Sequence, residues 1–284
     1  MLQVKIKSAD AIQKLKREVM EHHIIKSADG SSSLMLNNFS ESYHSSNGAF
    51  TEALHIYIRE GVCYLFNKLQ CSCINNSKRT GQFSPIVIFD IGLGSALNCL
   101  AVLLWQQTLA RSKECLPQIH YIGIEKYPIP AEEAKLLNFP EHIADRQAEL
   151  NGNTECRFCR EEIRDWYESI HDARWEENFE MAPGFTLTKR RADIAKCCAD
   201  DFKSCLYPDS PSAVFYDTFS PSTQPDLWEK SIFEEIFKGI APESVLTTYC
   251  SKGVVKQRLR ESGFHLERLT GPPGKRHILR ACKL

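Results

Sequence analysis

The sequence predicts an α/β protein whose central sheet is doubly wound and mainly parallel. From residue 85 onward, short apolar runs typical of strands buried on both faces alternate with segments of helical spacing. A glycine-rich turn follows the first run, and two strand-like runs stand side by side at the C-terminus, where they predict an antiparallel hairpin. With 284 residues, 43% of them hydrophobic and 25% charged, the chain is long enough to bury a large core.

Residues 1–80 are predicted to form a small N-terminal extension packed on that core. The turn signal Ser27–Ser31 separates two short apolar stretches, and the apolar positions that follow, such as Ala53 and Tyr57, have helical spacing. The predicted elements are a polar helix or loose arm (1–20), two short strands (22–39), a helix (49–69) and a polar loop (78–84).

Residues 81–284 are predicted to form the core, with a seven-stranded sheet whose C-terminal strand is antiparallel. The predicted strands are 85–90, 120–125, 185–190, 212–217, 244–249 and the closing pair 264–269 and 277–282. The predicted helices run to about 111 from the glycine-rich turn and over 130–150, 227–240 and 254–262. The polar stretch 151–180, rich in Trp and Cys, extends the second of these into a helical insertion at about 130–182.

Composition narrows the class of protein. No apolar run approaches the roughly 18 residues needed to cross a bilayer, and the start lacks the apolar region of a secretory signal, so we expect a cytoplasmic protein without a membrane partner. The net charge of −1 does not by itself indicate a nucleic-acid partner. Residues 250–284, however, carry nine Lys and Arg against two Glu. This basic tail is either a docking surface for phosphates or an ordinary solvated face.

Twelve cysteines are many for a cytoplasmic protein. Zinc usually takes two close pairs of ligands at compatible spacing. Cys156 and Cys159 form one such pair, and the nearest possible second pair is the adjacent Cys197 and Cys198. We expect reduced structural thiols and no metal site.

The glycine-rich turn after the first core strand is the first candidate binding site. Gly92 and Gly94 allow the backbone to turn tightly and approach a ligand closely, although such a turn also ends ordinary strands. Asp90 suits a site that holds an ammonium group, whereas it would repel the pyrophosphate of a dinucleotide. The turn therefore favours S-adenosylmethionine, whose methionine end carries an amino group.

Three further carboxylates follow core strands, where ligands of such sheets bind. Glu125 is a candidate acceptor for ribose hydroxyls, and Asp193 for the adenine amino group. Asp217 is expected to point at the reactive end of the cofactor. Each carboxylate taken alone is also compatible with a strand-end or surface role.

Six segments, in order along the chain, resemble signatures of the MnmC-type tRNA methyltransferases. They are Tyr43–Gly48 with Glu52 and His55, Asp90–Asn98, Ile124–Pro128, Phe215–Pro221 with Pro225–Trp228, Thr247–Gly253, and Gly271–Arg276. The resemblance runs from about residue 25 to the C-terminus. It departs from the family at Ala96, Thr218, Ser220 and His277, and the last change leaves the role of the C-terminal loop open.

The resemblance implies a Rossmann-like class I S-adenosylmethionine-dependent methyltransferase. The implied reaction is methylation of the exocyclic amine of 5-aminomethyl-(2-thio)uridine at the tRNA wobble position. Two-domain members add a flavin-dependent oxidase. We expect this chain to be the methyltransferase part alone, without FAD or NAD, because it ends after the last predicted strand and has no second glycine-rich fingerprint.

The resemblance also implies roles for the residues that match the family signatures. Asp217 is the candidate catalytic residue, which holds the amine and accepts or relays its proton. The candidate cofactor-binding residues are Tyr43, Ser45, Asp90, Gly92, Gly94, Asn98, Glu125, Lys126, Asp193 and Asp217. Phe219 and Trp228 are expected to wall the substrate. The candidates for phosphates of the anticodon stem-loop are Lys252, Lys256, Arg258, Arg260, Lys275 and Arg276.

Three other functions remain open on the residues alone. A methyltransferase acting on a small molecule or a protein would carry the same cofactor residues, and label transfer to tRNA separates it. A nicotinamide-dependent oxidoreductase is separated by cofactor titration. A catalytically silent tRNA-binding module would bind tRNA without turning over the cofactor.

Overall fold

The structure is a computed structural model and describes residues 22–36, 41–75, 85–111, 116–151 and 157–284. Its centre is an eight-stranded sheet with the order β5-β6-β4-β3-β7-β8-β10-β9. The strands of this sheet are β3 (Ile86–Ile91), β4 (Ile119–Ile124), β5 (Asn178–Ala182), β6 (Phe185–Arg190), β7 (Ser212–Tyr216), β8 (Val245–Thr248), β9 (His265–Thr270) and β10 (His277–Cys282). A separate two-stranded hairpin joins β1 (His22–Lys26) to β2 (Ser32–Leu36).

The prediction of a mainly parallel sheet closed by an antiparallel C-terminal strand is confirmed. Strands β6, β4, β3, β7 and β8 pair in parallel, and β10 is antiparallel to both β8 and β9. The strand order reverses between β3 and β7, and ligands of doubly wound sheets bind outside the carboxyl ends of the strands at such a switch point.

The sheet has eight strands rather than the predicted seven, because β5 lies inside the stretch predicted as a helical insertion. Three of its five residues are exposed, so the edge strand lacks the apolar pattern that marks the central strands. It pairs antiparallel with β6 across a turn in which Gly184 has φ +77°.

Helices cover both faces of the sheet. They are α1 (Ala49–Ala53), which continues through a π-helical segment (Leu54–Cys63) into α2 (Tyr64–Asn75), then α3 (Leu97–Arg111), α4 (Ala131–Ala134), α5 (Phe139–Arg146), α6 (Ala148–Asn151), α7 (Arg160–Asp172), α8 (Lys230–Gly239) and α9 (Gly253–Glu261). Helix α3 is buried along almost its whole length, which explains its apolar sequence. One core joins it to the N-terminal helices and α7, and the other lies under α8 and α9.

The N-terminal extension shares the main core. The Tyr57 ring lies 5.3 Å from the ring of Phe215, between ring centroids, and Phe215 belongs to β7. A Cβ atom at Gly61 would approach the Phe215 ring to 3.0 Å, so the π-helical segment lies directly on the sheet. The predicted helix at 49–69 is confirmed and is longer, and the predicted hairpin at the Ser27–Ser31 turn is confirmed by the pairing of its strands.

Other predictions have mixed outcomes. The predicted helix at 130–150 is three short helices, α4 to α6, and the one at 227–240 is a 3-10 turn (Pro225–Trp228) followed by α8. The predicted elements at 1–20 and 78–84 lie outside the described residues. No helix in the described part of the chain is long and apolar enough to cross a membrane.

Candidate active site

A cavity of about 580 Å³ opens at the carboxyl ends of the parallel strands, at the switch point of the sheet. Its size is within the range of small-molecule sites. Its wall includes residues that end five strands or follow them within three residues, namely Ile91, Ile124, Asp193, Asp217 and Tyr249. The segment between β2 and α1 closes it from another side, with Tyr43 and Ser45 in the wall.

The glycine-rich turn lines the cavity, and its backbone needs glycine. Gly92 has φ +91° and Gly94 has φ +49°. A Cβ at Gly92 would lie 2.5 Å from the carbonyl oxygen of Asp217, so the two loops touch. Ala96 also has a positive φ of 59°, a conformation that costs a non-glycine residue about 1–2 kcal/mol.

Glu125 is fixed against the glycine-rich turn. Its carboxylate accepts a hydrogen bond from the backbone N–H of Gly94 at 3.1 Å and another from that of Tyr127 at 2.8 Å. Burial raises the pKa of Glu125, and these backbone N–H groups act against the rise. The carboxylate lines the cavity at the end of β4, the place predicted for contact with ribose hydroxyls.

Lys126 and Asp193 form an ion pair of 2.8 Å in the cavity wall. Burial alone would raise the pKa of Asp193, but hydrogen bonds from Lys126 and the Ala195 N–H hold that pKa below its ordinary value. Asp193 is therefore an ionised acceptor beside the strand-end glutamate.

Asp217 lies in the cavity after β7. The Asn98 amide donates a hydrogen bond of 3.1 Å to its Oδ2 atom. Burial raises the pKa of Asp217 to about 7, and the negative charge of Glu52 adds to the rise, while Tyr57, Asn98 and Lys275 oppose it. A carboxyl group with a pKa near neutrality takes up and releases protons at physiological pH.

Unsatisfied polar atoms lie next to Asp217. The Tyr57 hydroxyl interacts with Asp217, yet it has no hydrogen-bond partner of normal geometry among the described residues, and neither does Asn98 Oδ1. Buried polar atoms are seldom left without partners in folded proteins. Both atoms are buried and Tyr57 does not line the cavity, so they shape the surroundings of the Asp217 carboxylate rather than offer a contact to a ligand.

Sequence reasoning missed three residues of the cavity wall. Lys275 forms an ion pair of 3.1 Å with Glu52, and its ammonium group lies 4.6 Å from the centre of the Tyr249 ring. Glu52 was noted only as part of a family-like segment and Lys275 was predicted to contact phosphates, so neither was expected in the cavity wall, and no spacing rule connects them. The third, Glu41, accepts hydrogen bonds from the backbone of Ser220 and from the Thr223 hydroxyl.

The predicted residues Tyr43, Ser45, Asn98, Lys126 and Phe219 all lie in the cavity wall. The rings of Tyr43 and Phe219 meet edge to face, with 5.3 Å between centroids. This contact joins the N-terminal segment to the loop that carries Asp217.

The expectation for Asp90 is wrong. Its side chain is fully buried, does not line the cavity, and accepts a hydrogen bond of 2.6 Å from the Tyr121 hydroxyl. Side chains alternate along a strand, and Asp90 lies on the face of β3 that packs on α3. Burial raises the pKa of Asp90 well above its ordinary value, so a neutral carboxyl inside the core is favoured.

Trp228 does not wall the cavity either. Its side chain is fully buried in the core under α8, and its indole N–H donates a hydrogen bond of 2.8 Å to the carbonyl oxygen of Phe219. The 3-10 turn directs Leu227 to the cavity and Trp228 to the core. Trp228 therefore supports the loop after Asp217 from behind.

The predicted phosphate contacts separate into two groups. Lys275 lies inside the cavity, and the Arg258 guanidinium is bound to the Trp228 carbonyl and the Glu229 carboxylate, so neither is placed as expected. Lys252, Arg260 and Arg276 are exposed and Lys256 is half-buried. Contact of these four residues with phosphates stays a prediction.

The described residues contain no group of three or more His, Cys, Asp or Glu that is arranged to hold a metal ion. Cys156 lies outside them. Cys159, Cys197 and Cys198 are free cysteines.

Known proteins resemble both the sequence and the fold. Residues 162–284 match the family model described as S-adenosyl-L-methionine-dependent methyltransferase. The tRNA 5-methylaminomethyl-2-thiouridine biosynthesis bifunctional protein MnmC of Azoarcus sp. (strain BH72) is 28% identical over 251 residues, which are 85% of this chain and 33% of that protein. The protein of the same name from Stutzerimonas stutzeri (strain A1501) is 28% identical over 69% of this chain and 26% of its own length.

Among solved structures, MNMC2 from Aquifex aeolicus matches with a TM-score of 0.61 and 22% identity, covering 98% of this chain and 78% of that one. The match to the S-adenosyl-L-methionine-dependent methyltransferase family model covers the C-terminal part of the chain, and the fold of the chain is similar to that of MNMC2. The chain is similar to one part of these MnmC proteins. The chain spans about a third of the length of the curated relatives that it matches.

Proposed function

We propose that this protein transfers a methyl group from S-adenosylmethionine to the exocyclic amine of 5-aminomethyl-(2-thio)uridine at the tRNA wobble position. The observation that carries the proposal is the position of Asp217, which has a pKa near 7 and lies in the same cavity as the glycine-rich turn and Glu125. The names of the relatives, which assign them to 5-methylaminomethyl-2-thiouridine biosynthesis on tRNA, support the same substrate.

The residues of the cavity fit S-adenosylmethionine better than a dinucleotide. Carboxylates at three strand ends (Glu125, Asp193 and Asp217) would accept hydrogen bonds from hydroxyl and amino groups but would repel a pyrophosphate. In this proposal, Glu125 and the turn at Gly92 and Gly94 hold the ribose side and Asp193 faces the adenine. When bound, the cofactor supplies an electrophilic methyl group on a sulfonium. The proposed transfer contains no redox step, so it requires neither FAD nor NAD.

Asp217 resolves a problem of protonation. An alkylamine is mostly protonated at neutral pH, and an ammonium group has no lone pair for the attack. Ionised Asp217 accepts one proton from the substrate nitrogen, which frees the lone pair that forms the new N–C bond as the S–C bond to the methyl group breaks. Phe219 and Tyr43 exclude water beside this step and thereby favour the neutral amine. Asn98 holds the Asp217 carboxylate in place.

Placement is the second contribution of the protein. A reacting pair that is held in line gains much of its rate from orientation alone. Trp228 fixes the Phe219 carbonyl and Glu41 fixes the backbone of Ser220, so the loop that carries Asp217 is held at two points. We propose that the anticodon stem-loop reaches this cavity along the exposed basic residues Lys252, Arg260 and Arg276.

The test is methyl transfer to tRNA that lacks the modification. Purified protein is incubated with labelled S-adenosylmethionine and this tRNA, and the wobble nucleoside is identified by mass spectrometry. The expected product is 5-methylaminomethyl-(2-thio)uridine. We expect Asp217→Asn to lower kcat by about 100-fold or more, the size of a general-base contribution, while the cofactor still binds. Transfer to a small molecule or a protein but not to tRNA would reject the proposed substrate, and full kcat in Asp217→Asn would reject the role of Asp217.

A further inference from the structure

The cavity contains an ion pair that the reaction described above does not use. Glu52 comes from α1 and Lys275 from the loop between β9 and β10, and their charged atoms lie 3.1 Å apart. Both side chains are largely buried, with 12% and 24% of their surface exposed. An ion pair with so little solvent around it is weakly screened, so its field acts on neighbouring groups.

Glu52 and Lys275 each contact a further residue that fixes the position of the ion pair. The Ser45 hydroxyl interacts with the Glu52 carboxylate, and the face of the Tyr249 ring lies 4.6 Å from the Lys275 ammonium. The Tyr249 hydroxyl in turn donates a hydrogen bond of 2.9 Å to the carbonyl oxygen of Thr218, next to Asp217. The pair is thus fixed relative to the loop that carries the candidate catalytic carboxylate.

The conformation of the loop between β9 and β10 places Lys275 beside the cavity. Gly274 has φ +84°, and a Cβ there would lie 2.1 Å from the Asn47 side chain, so the loop touches the segment between β2 and α1. The Gly271 N–H and the Arg276 carbonyl close the base of the loop at 3.3 Å. This geometry presents Lys275 to the cavity instead of to solvent.

We propose that the Glu52–Lys275 ion pair is a positioning device that sets how readily Asp217 takes up the proton of the substrate amine. Burial raises the pKa of Glu52, and the Lys275 ammonium and the Ser45 hydroxyl oppose that rise. Ionised Glu52 places a negative charge near Asp217, and Lys275 places a positive one. Their effects on the pKa of Asp217 are opposite in sign: Glu52 raises it and Lys275 lowers it. The inference rests on the proposed function of Asp217, but the effect of the pair on Asp217 is measurable without a substrate.

Other charged or titratable groups also face Asp217, and they are unchanged in variants of Glu52 and Lys275. Each interacts with Asp217 from a different element: Tyr57 in the π-helical segment, Asp90 in β3, Tyr121 in β4 and Tyr249 after β8. Burial raises the pKa of all four, so around pH 7 they are held in their neutral forms and add little charge of their own. Changes at Glu52 and Lys275 therefore dominate the charge near Asp217.

The test is the titration of Asp217 followed by carboxyl ¹³C NMR in protein labelled at aspartate, with Asp217→Asn identifying the resonance. We expect the midpoint to fall in Glu52→Gln and to rise in Lys275→Met, each by about half a pH unit or more. The double variant returns close to the wild-type midpoint. Glu52→Asp and Lys275→Arg keep the charges and are expected to titrate within a few tenths of a unit of wild type.

A matched control lies about two helical turns away, eight residues along the chain. Glu60 forms an ion pair of 2.7 Å with Arg280 outside the cavity wall, so Glu60→Gln removes the same charge from the same helical stretch without moving the Asp217 midpoint. Shifts of the same sign in Glu52→Gln and Lys275→Met, or no shift in either, would overturn the inference. Since the titration needs no tRNA, it distinguishes this failure from a failure of the proposed methyl transfer, which the wild-type activity assay reports.

Discussion

Burial in the fold makes the ionised form of the Asp217 carboxyl group unfavourable. Its pKa of about 7 means that burial opposes ionisation more than Asn98 and Lys275 favour it. A residue tuned for function at the expense of stability has a pH signature of its own. In the unfolded chain the carboxyl titrates near 3.8, so between this value and about 7 the folded state binds more protons than the unfolded state.

Asp217→Asn is therefore expected to stabilise the protein at high pH. As pH rises from 4 to 8, ionisation of Asp217 costs the wild type stability, while the amide has no charge to bury. The free energy of unfolding at pH 8 should increase by roughly 1–4 kcal/mol, and the difference should disappear near pH 4. Urea unfolding at both pH values measures this. A variant less stable than wild type at pH 8 would contradict a raised pKa for Asp217.

Two residues show where reasoning from strand ends fails. Asp90 and Asp217 both end or follow a core strand, yet only Asp217 faces the cavity. Asp90 is still within β3, where its side chain alternates with Phe89 and Ile91 and accepts a hydrogen bond from Tyr121 inside the core. Asp217 comes after β7, where the chain leaves the sheet. Relative to the strand end, Asp90 and Asp217 differ by only two positions, and sequence patterns locate strand ends no better than this.

At the scale of elements, the π-helical segment brings the N-terminal extension onto the sheet. The wider turn of a π-helix is rare and is often found at functional sites. Here it places Gly61 against Phe215 and Tyr57 beside Asp217. The sequence predicted a helix at this position, but apolar spacing does not distinguish the two helical forms over so short a stretch.

Gly61→Ala is expected to destabilise the protein. The new methyl group would lie 3.0 Å from the Phe215 ring and 3.3 Å from the Thr247 hydroxyl, so the segment would have to move off the sheet. Overpacking of this kind costs about 1–3 kcal/mol. Gly253→Ala is the control because a Cβ there meets no atom within 4 Å, and Ala favours the helix α9 that begins at this residue. Thermal unfolding compares the two, and equal melting temperatures would contradict the close packing of the π-helical segment.

Central and edge strands differ in how well the sequence predicts them. The central strands β3, β4 and β7 are buried at every residue and were recognised as apolar runs. The edge strand β5 was missed because its first three residues are exposed. An edge strand needs apolar residues on fewer faces, so its sequence carries a weaker signal than that of a central strand.

At the scale of the whole molecule, the cavity is assembled from segments that lie far apart along the chain. Glu41, Glu52 and Tyr43 come from the N-terminal extension, and Lys275 comes from the C-terminal loop. No local pattern links them, because their proximity arises from the order of the strands in the sheet. The side of the cavity proposed to hold the cofactor was predictable since it follows the strand ends of a doubly wound sheet. The substrate side was not, since it depends on what packs over those ends.

The basic tail gives the last prediction, which concerns binding of tRNA. Lys252, Arg260 and Arg276 are exposed, and Lys252 donates a hydrogen bond of 2.6 Å to a neutral hydroxyl, that of Ser222. If these cations contact phosphates, binding releases counterions, and the affinity falls linearly with salt concentration on a logarithmic scale. Lys252→Ala and Arg276→Ala should each reduce the slope by about one.

Lys238→Ala is the control for this experiment. Lys238 is also an exposed cation, but it already pairs with Glu235 at 2.6 Å in α8 and does not line the cavity. Fluorescence anisotropy with labelled anticodon stem-loop RNA between about 50 and 200 mM salt gives the slopes, and a tail that contacts 3–4 phosphates predicts a loss of roughly 10-fold or more in affinity over this range. Slopes that do not change in Lys252→Ala and Arg276→Ala, or that change equally in Lys238→Ala, would show that the tail is an ordinary solvated surface and that the RNA reaches Asp217 from another side.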